Sequence, residues 1–568
     1  MTHLCTTAHR AGSLTIRAHA YLLALLLAAA VFASPAWADE GYGAVLADAE
    51  RAMTDGDFVA GVNRYLEAAR VGDSVETARQ ATLTAYLFGF DAVAAEAAVR
   101  WAELDVAPWR ARVYGAMAAL RAGDVDASVK GLRGVLDDGA DAAAVCEVLE
   151  EGLSRNVRNE DAHAALKQVA RRFDEAACLT TLAAAAALSH DDFDDAERQL
   201  SRLRKLDAFD NQARLIAMAR LIALEDVDAA LSDDELRLDD DATVQQQIEY
   251  AFLHARADQD ETARNMVELL RSEYPGDADV LEALAVLQLQ GGDPQASRRS
   301  FLDLLASGEK TADALFYLAR FAESDRRFDQ ALRMYSQVDS GSLAVPAQQR
   351  AAALLRERDG VPAAISHIGD FVVRHPRFGL DLLPVKGSLY ARGEFYEQAL
   401  AAYDTYVELK PRAEFAWLAR ADAILQTGEL DDAIAAFRDV LDRFPDSPNA
   451  LNALGYTLAD RTRKFREAER LIDRALKMEP DNAAIIDSKG WVLFRRGKLK
   501  QAREYLERAW EELPDPEVAA HLGEVLWRMG DEQEARDLLE EAWQRFPGDS
   551  ILRDTIRRLL DDGPLTRS

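Results

Sequence analysis

Asp487-Ser-Lys-Gly490-Trp-Val-Leu-Phe-Arg-Arg-Gly497-Lys-Leu-Lys-Gln-Ala502-Arg-Glu-Tyr-Leu-Glu-Arg-Ala-Trp-Glu-Glu-Leu-Pro514 decides the fold. A glycine, an alanine and a proline stand twelve residues apart, with a second glycine five before the alanine. The same punctuation runs through residues 382–560. Ala399, Ala433, Ala468, Ala502 and Ala535 follow one another at intervals of 34, 35, 34 and 33 residues. Pro411, Pro445, Pro480, Pro514 and Pro547 each come twelve after an alanine. Ala421, Gly490 and Gly523 come twelve before one, and Gly455 thirteen before.

The spacing has a mechanical reading. Two helices per unit cross where only Gly or Ala fits, since a larger side chain there costs about 1–3 kcal/mol through overpacking. Gly428, Gly497 and Gly530 close the first helix (A), where a positive φ is wanted. The proline ends the second helix (B), because it lacks a donor and clashes with the turn before it. One such pair cannot bury its own apolar face, so neighbouring pairs stack. A period near 34 with this punctuation resembles the tetratricopeptide repeat (TPR). The resemblance implies an all-α, right-handed superhelical solenoid.

The alanine register continues backwards through Ala364, Ala331, Ala296, Ala263, Ala229, Ala196, Ala162, Ala127, Ala94 and Ala60. Pro275, Pro376, Gly89 and Gly291 support it, and Tyr335 stands at a helix B packing position. The expectation is about fifteen TPR-like helix pairs: degenerate repeats over 39–360, regular ones over 361–550, and a capping helix with a tail over 551–568. Residues 340–346 and 359–360 offer a place for a bend between the two arms, a continuous superhelix being the simpler reading. The acidic stretch 231–241 reads as a solvated turn.

Residues 1–38 read as a secretory signal peptide. Arg10 and Arg17 form its basic region, residues 21–32 its apolar core, and Ala36-Trp-Ala38 its cleavage site. The apolar core is shorter than the roughly 20 residues that a spanning helix needs. No cysteine follows it to carry a lipid. The expected location is the periplasm, possible attachment to the outer membrane being peripheral, with no transmembrane segment in the mature form.

With 67 Lys/Arg against 98 Asp/Glu, the chain carries a net charge of −31. That argues against general nucleic-acid binding, which needs cations to displace counterions. The histidines His163, His190, His254, His367, His375 and His521 show no zinc spacing. Gly308-Glu-Lys-Thr311 lacks the glycines and the strand of a phosphate loop. Carboxylates are assigned to exposed helical faces. No cofactor, metal or catalytic residue is called, and the chain is read as not an enzyme. Cys146 and Cys178 fall on the A helices of adjacent repeats. Their offset and the narrow Cα limits make two buried thiols the favoured reading over a bridge.

What remains is surface. In TPR proteins the A helices line a concave groove. The family's groove positions, carried onto this register, fall on Asn449, Asn452, Tyr456 and Asp460, then on Asp487, Trp491, Phe494 and Arg495, then on Glu517, Glu524, Trp527 and Arg528. Asn449, Asn452, Tyr456, Asp487, Trp491, Phe494, Arg495, Trp527 and Arg528 are the expected partner-binding set. The alternative use of Trp491 and Trp527 is packing between helices. Residues 461–508 hold 14 Lys/Arg against 8 Asp/Glu, with clusters at Arg461, Arg463, Lys464 and Arg466 and at Arg495, Arg496, Lys498 and Lys500. Such a patch suits an acidic partner segment or a second copy of the chain, and ordinary solvated turns are the plain alternative.

Residues 487–497 and 513–527, with Ala331-Leu-Arg-Met-Tyr-Ser-Gln-Val338, resemble the proteobacterial envelope TPR proteins and lipoproteins. Some of these are adaptors that present peptidoglycan hydrolases to a carboxyl-terminal processing protease. The resemblance implies a non-catalytic periplasmic scaffold that binds proteins. The alternative is a structural TPR component of an envelope assembly or polysaccharide export machine.

Overall fold

A computed structural model describes residues 40–54, 57–153 and 158–560; the expected signal peptide and the tail after residue 560 lie outside them. Among the described residues there are 31 α-helices and no strand. They form fifteen consecutive helix pairs, from Glu40–Thr54 with Phe58–Val71 to Pro516–Met529 with Glu532–Arg545. Ser550–Leu559 follows as a single closing helix. None of the described helices is long and apolar enough to cross a membrane.

The chain divides into two compact units, one ending at Val385 and one beginning at Lys386. The division falls inside helix Gly379–Arg392, one residue after Pro384, which cannot donate to the helical ladder. Residue 360 lies inside the first unit, where Gly360 (φ 90°) turns Ala344–Asp359 into Val361–Arg374.

In the second unit the punctuation works as the sequence spacing requires. Each B helix ends two residues before its proline, as in Phe465–Met478 before Pro480 and Leu499–Glu512 before Pro514. Three of the A helices begin on side-chain caps. Ser447, Asn482 and Asp515 accept backbone N–H bonds, with Pro448 and Pro516 at the first helical position. Gly428, Gly497 and Gly530 adopt φ of 89°, 78° and 92°. At the crossings a Cβ on Gly455 would meet Ile472, one on Gly490 would meet Leu506, and one on Gly523 would meet Leu539. Ala468, Ala502 and Ala535 are fully buried on the partner helices, as are Ala421 and Ala433 at the crossing before.

The register of the first unit is less regular than expected. Ala94, Ala196, Ala263, Ala331 and Ala364 are fully buried. Ala60, Ala127, Ala162, Ala229 and Ala296 are not; the next residue is buried instead, namely Gly61, Ser128, His163, Ala230 and Ser297. At Ser297 the hydroxyl bonds back, Oγ donating to Ala285 O at 2.7 Å, whereas Ser128 Oγ is buried without a partner.

Two further readings are corrected. Cys146 and Cys178 are joined by a disulfide, their Cα atoms 6.2 Å apart, which brings them within bridging range despite the offset. The bridge ties helix Ala142–Leu153 to helix Ala177–Ser189. Nor do all carboxylates face solvent, since Asp91, Asp161, Asp195, Asp313 and Asp487 are buried. Lys310, from the rejected phosphate loop, pairs with Asp279 and Glu282. The acidic stretch holds a short 3-10 helix, Asp234–Leu236, anchored by Leu236 and by Arg204–Glu235 and Arg214–Asp239 ion pairs.

Candidate functional site

In the second unit helices Pro448–Arg461, Ala483–Arg495 and Pro516–Met529 touch in succession, more closely than the B helices between them do, so their A face lies on the inside of the curve. Helices Glu414–Gln426, Pro448–Arg461, Ala483–Arg495 and Pro516–Met529 line it in order.

The structure gathers much of the expected partner-binding set into one polar and aromatic cluster. Tyr456 Oη and Glu517 Oε1 are hydrogen-bonded at 2.6 Å, joining A helices two repeats apart. Between them the Trp491 ring stacks on His521, with centroids 4.0 Å apart and planes 20° apart, and on Phe494 at 5.0 Å. Trp491 Nε1 donates to Asp460 Oδ1 at 3.2 Å, and Arg495 donates to Asp460 O at 2.6 Å. The Asp487 carboxylate lies 2.9 Å from His521 Nδ1. Arg558 of the closing helix donates to Glu524 at 2.8 Å.

Burial tunes this cluster. It opposes charge on His521, but the charge and hydrogen bond of Asp487, with Glu517 and Asp460, outweigh it and hold the imidazole above its usual range. Burial and the neighbouring Glu517 push the Tyr456 phenol well up. Tyr456, Asp487 and Trp491 thus turn into contacts between repeats and lock the local curvature. Trp527 is half-buried, with the Arg536 guanidinium over its ring at 5.5 Å.

Asn449 and Arg528 are exposed, and Asn452, Phe494 and Arg495 keep part of their surface. Asn452 Oδ1 is buried without a hydrogen-bond partner. Phe415, one repeat before Asn449 on the same face, is 55% exposed. Phe415 and His521 carry no assignment from the groove pattern. A signal for His521 was present in the sequence: it stands 34 residues after Asp487, one repeat apart. Lateral partners recur at about that separation, as in Arg495 with Asp460 and Arg558 with Glu524.

The first unit holds a second polar cluster. His163, Asp192 and Asp195 offer ligand atoms within 4.8 Å of one another. However, Lys167 Nζ stands 3.4 Å from Asp192 Oδ2 and 3.3 Å from Asp195 Oδ2, where a metal ion would sit. Arg198 bonds the other Asp195 oxygen at 2.9 Å. This is a self-neutralised brace between helices Asn159–Arg172 and Phe193–Lys205.

Residues 282–342, 385–448, 461–525 and 517–546 match tetratricopeptide-repeat families, and these segments are TPRs. Such repeats form a class of helical arrays that bind other proteins. The chain is similar to a TPR repeat-containing protein of Pseudomonas aeruginosa, 43% identical over 246 residues. The match covers 43% of this chain and 42% of that protein, so the chain spans less than half the relative's length. Among solved structures, yeast Tom70 is matched over 92% of this chain and 96% of its own, with 14% identity and a TM-score of 0.36. A TPR protein from Parabacteroides merdae is matched over 44% of this chain and 99% of its own, with 15% identity and a TM-score of 0.37.

Proposed function

We propose that the chain is a non-catalytic scaffold that holds an extended segment of a partner protein along the inner A face of its second unit. The observation that carries this is the Asn452 side chain, whose buried carbonyl oxygen has no partner. Leaving such an acceptor unpaired costs about 1–3 kcal/mol, and rotation of the half-buried Asn452 side chain would bring it to a backbone N–H of a bound segment. Exposed Phe415 and Asn449, at equivalent positions of adjacent repeats, supply an apolar and an amide contact beside it.

The finer reading is a periplasmic adaptor that presents cell-wall hydrolases to a processing protease. The resemblance of residues 331–338, 487–497 and 513–527 to envelope TPR proteins supports it. So does the Cys146–Cys178 bridge, since disulfides persist in oxidising compartments. A photo-crosslinker placed at Phe415 or Asn449, and at Glu504 on an outer helix as control, tests both parts. Adducts specific to the inner positions are expected, with a protease or murein hydrolase identified in them by mass spectrometry. Equal labelling from Glu504 overturns the groove reading. An export pore as the sole adduct overturns the adaptor reading.

A further inference from the structure

One edge of the second unit departs from the charge of the rest of the chain. Arg461, Arg463, Lys464 and Arg466 occupy the turn between helices Pro448–Arg461 and Phe465–Met478. Arg495, Arg496, Lys498 and Lys500 occupy the equivalent turn of the next repeat. The two turns touch: the Arg495 guanidinium lies 5.6 Å from the Phe465 ring centre, and Arg496 and Lys498 share Glu469. Asp460 and Glu469 neutralise part of this edge through Arg461, Arg495, Arg496 and Lys498. Among the described residues Arg463, Lys464, Arg466 and Lys500 are exposed and have no carboxylate partner.

The turns on either side have the opposite sign. Glu429, Asp431 and Asp432 precede the patch, and Asp531, Glu532 and Glu534 follow it. The cationic edge is therefore two repeats wide, roughly 10–20 Å at the usual spacing of packed helices.

We infer that this edge is a second docking surface, for a short acidic segment of a partner protein. It deepens the scaffold reading, on which its use depends, but occupies a different surface from the inner A face. The width matches about three to six extended residues at roughly 3.3 Å each. Its flanks select against length. A long polyanion such as nucleic acid would run onto the acidic turns and into the field of a chain carrying −31. A short segment stays within the roughly 8–10 Å screening distance of the four free cations.

The test uses the mature chain and a fluorescein-labelled hexaglutamate peptide, read by fluorescence anisotropy against hexaglutamine. Wild type should bind hexaglutamate at low salt and lose it as NaCl rises. The Arg463→Gln, Lys464→Gln, Arg466→Gln, Lys500→Gln variant breaks no ion pair and should keep its circular dichroism. It should bind about tenfold more weakly, as four exposed pairs are lost. Equal affinity of variant and wild type overturns the proposal. So does tighter binding of a single-stranded DNA 20-mer than of the peptide. Dimerisation of wild type that the variant abolishes, seen by sedimentation velocity, overturns it in favour of a second copy as occupant. Loss of peptide binding in the variant with unchanged crosslinking at Asn449 assigns the effect to this edge alone. The converse pattern, no wild-type crosslinking from Phe415 or Asn449 with peptide binding intact, locates failure in the groove reading.

Discussion

Replacing Gly490 by alanine should destabilise the second unit, against the ordinary preference of helices. In an open helix interior the change stabilises by about 1 kcal/mol. Here the new Cβ would lie 2.5 Å from Leu506 Cγ, 2.9 Å from its Cδ2 and 3.3 Å from the carbonyl oxygen of Ala502. Leu506 is fully buried and cannot swing into solvent, and the carbonyl belongs to a helix. Overpacking of this kind costs about 1–3 kcal/mol, leaving a net loss of up to about 2 kcal/mol for alanine. Valine should lose more, because its branches point into the same wall and its helix propensity is lower. Urea unfolding followed by circular dichroism and tryptophan fluorescence reads the effect, since Trp491 is the next residue and is buried. In a Leu506→Ala background the Gly490→Ala penalty should vanish, giving a coupling energy of opposite sign to the single changes. A Gly490→Ala midpoint at or above wild type would refute the claim that these glycines exist to let paired helices touch.

The remaining expectations concern the polar cluster, the bridge and the groove. Because the folded-state pKa of His521 is raised, its contribution to stability is fully present below the unfolded value of about 6.5 and is lost as pH rises through the folded value. Urea midpoints of wild type should therefore fall between pH 6 and pH 9 relative to His521→Asn, and a flat difference would remove the imidazolium from the account. Reducing the Cys146–Cys178 bridge, whose sequence separation is 32, should destabilise the first unit by about 4 kcal/mol on the chain-entropy relation. Hydrogen exchange in helices Ala142–Leu153 and Ala177–Ser189 should accelerate on reduction, with that of the second unit unchanged. Trp491→Ala should lower stability by about 3–5 kcal/mol, because the ring is buried between helices. Asn449→Ala, at an exposed position, should leave the urea midpoint unchanged and act on partner binding alone.

Much of the regular half was legible because its residues answer to local rules. Gly490, Ala502 and Pro514 are placed by helix length, crossing point and chain termination, all counted along the chain. The first unit was harder to read for a related reason. Alanine is common there, so Ala127 and Ala296 matched the period while Ser128 and Ser297, which bury as little volume, took the crossing. Cys146 and Cys178 were misjudged because their pairing depends on how adjacent repeats slide past each other, a quantity that spacing does not fix. Lys167 between Asp192 and Asp195 was invisible for the same reason.

Read alone, the chain determined that helices come in pairs, where each pair closes, and that the pairs must stack, since an amphipathic pair has no other way to bury its apolar side. Only the tertiary structure decided how the A-face side chains divide. Curvature brings Tyr456 against Glu517 across a whole intervening repeat and seats Trp491 on His521, while Asn449 and Phe415 stay exposed and Asn452 half-buried beside them. The physical reason is one of range. Helical periodicity acts over a few residues, whereas the approach of side chains one or two repeats apart depends on small rotations summed along the stack.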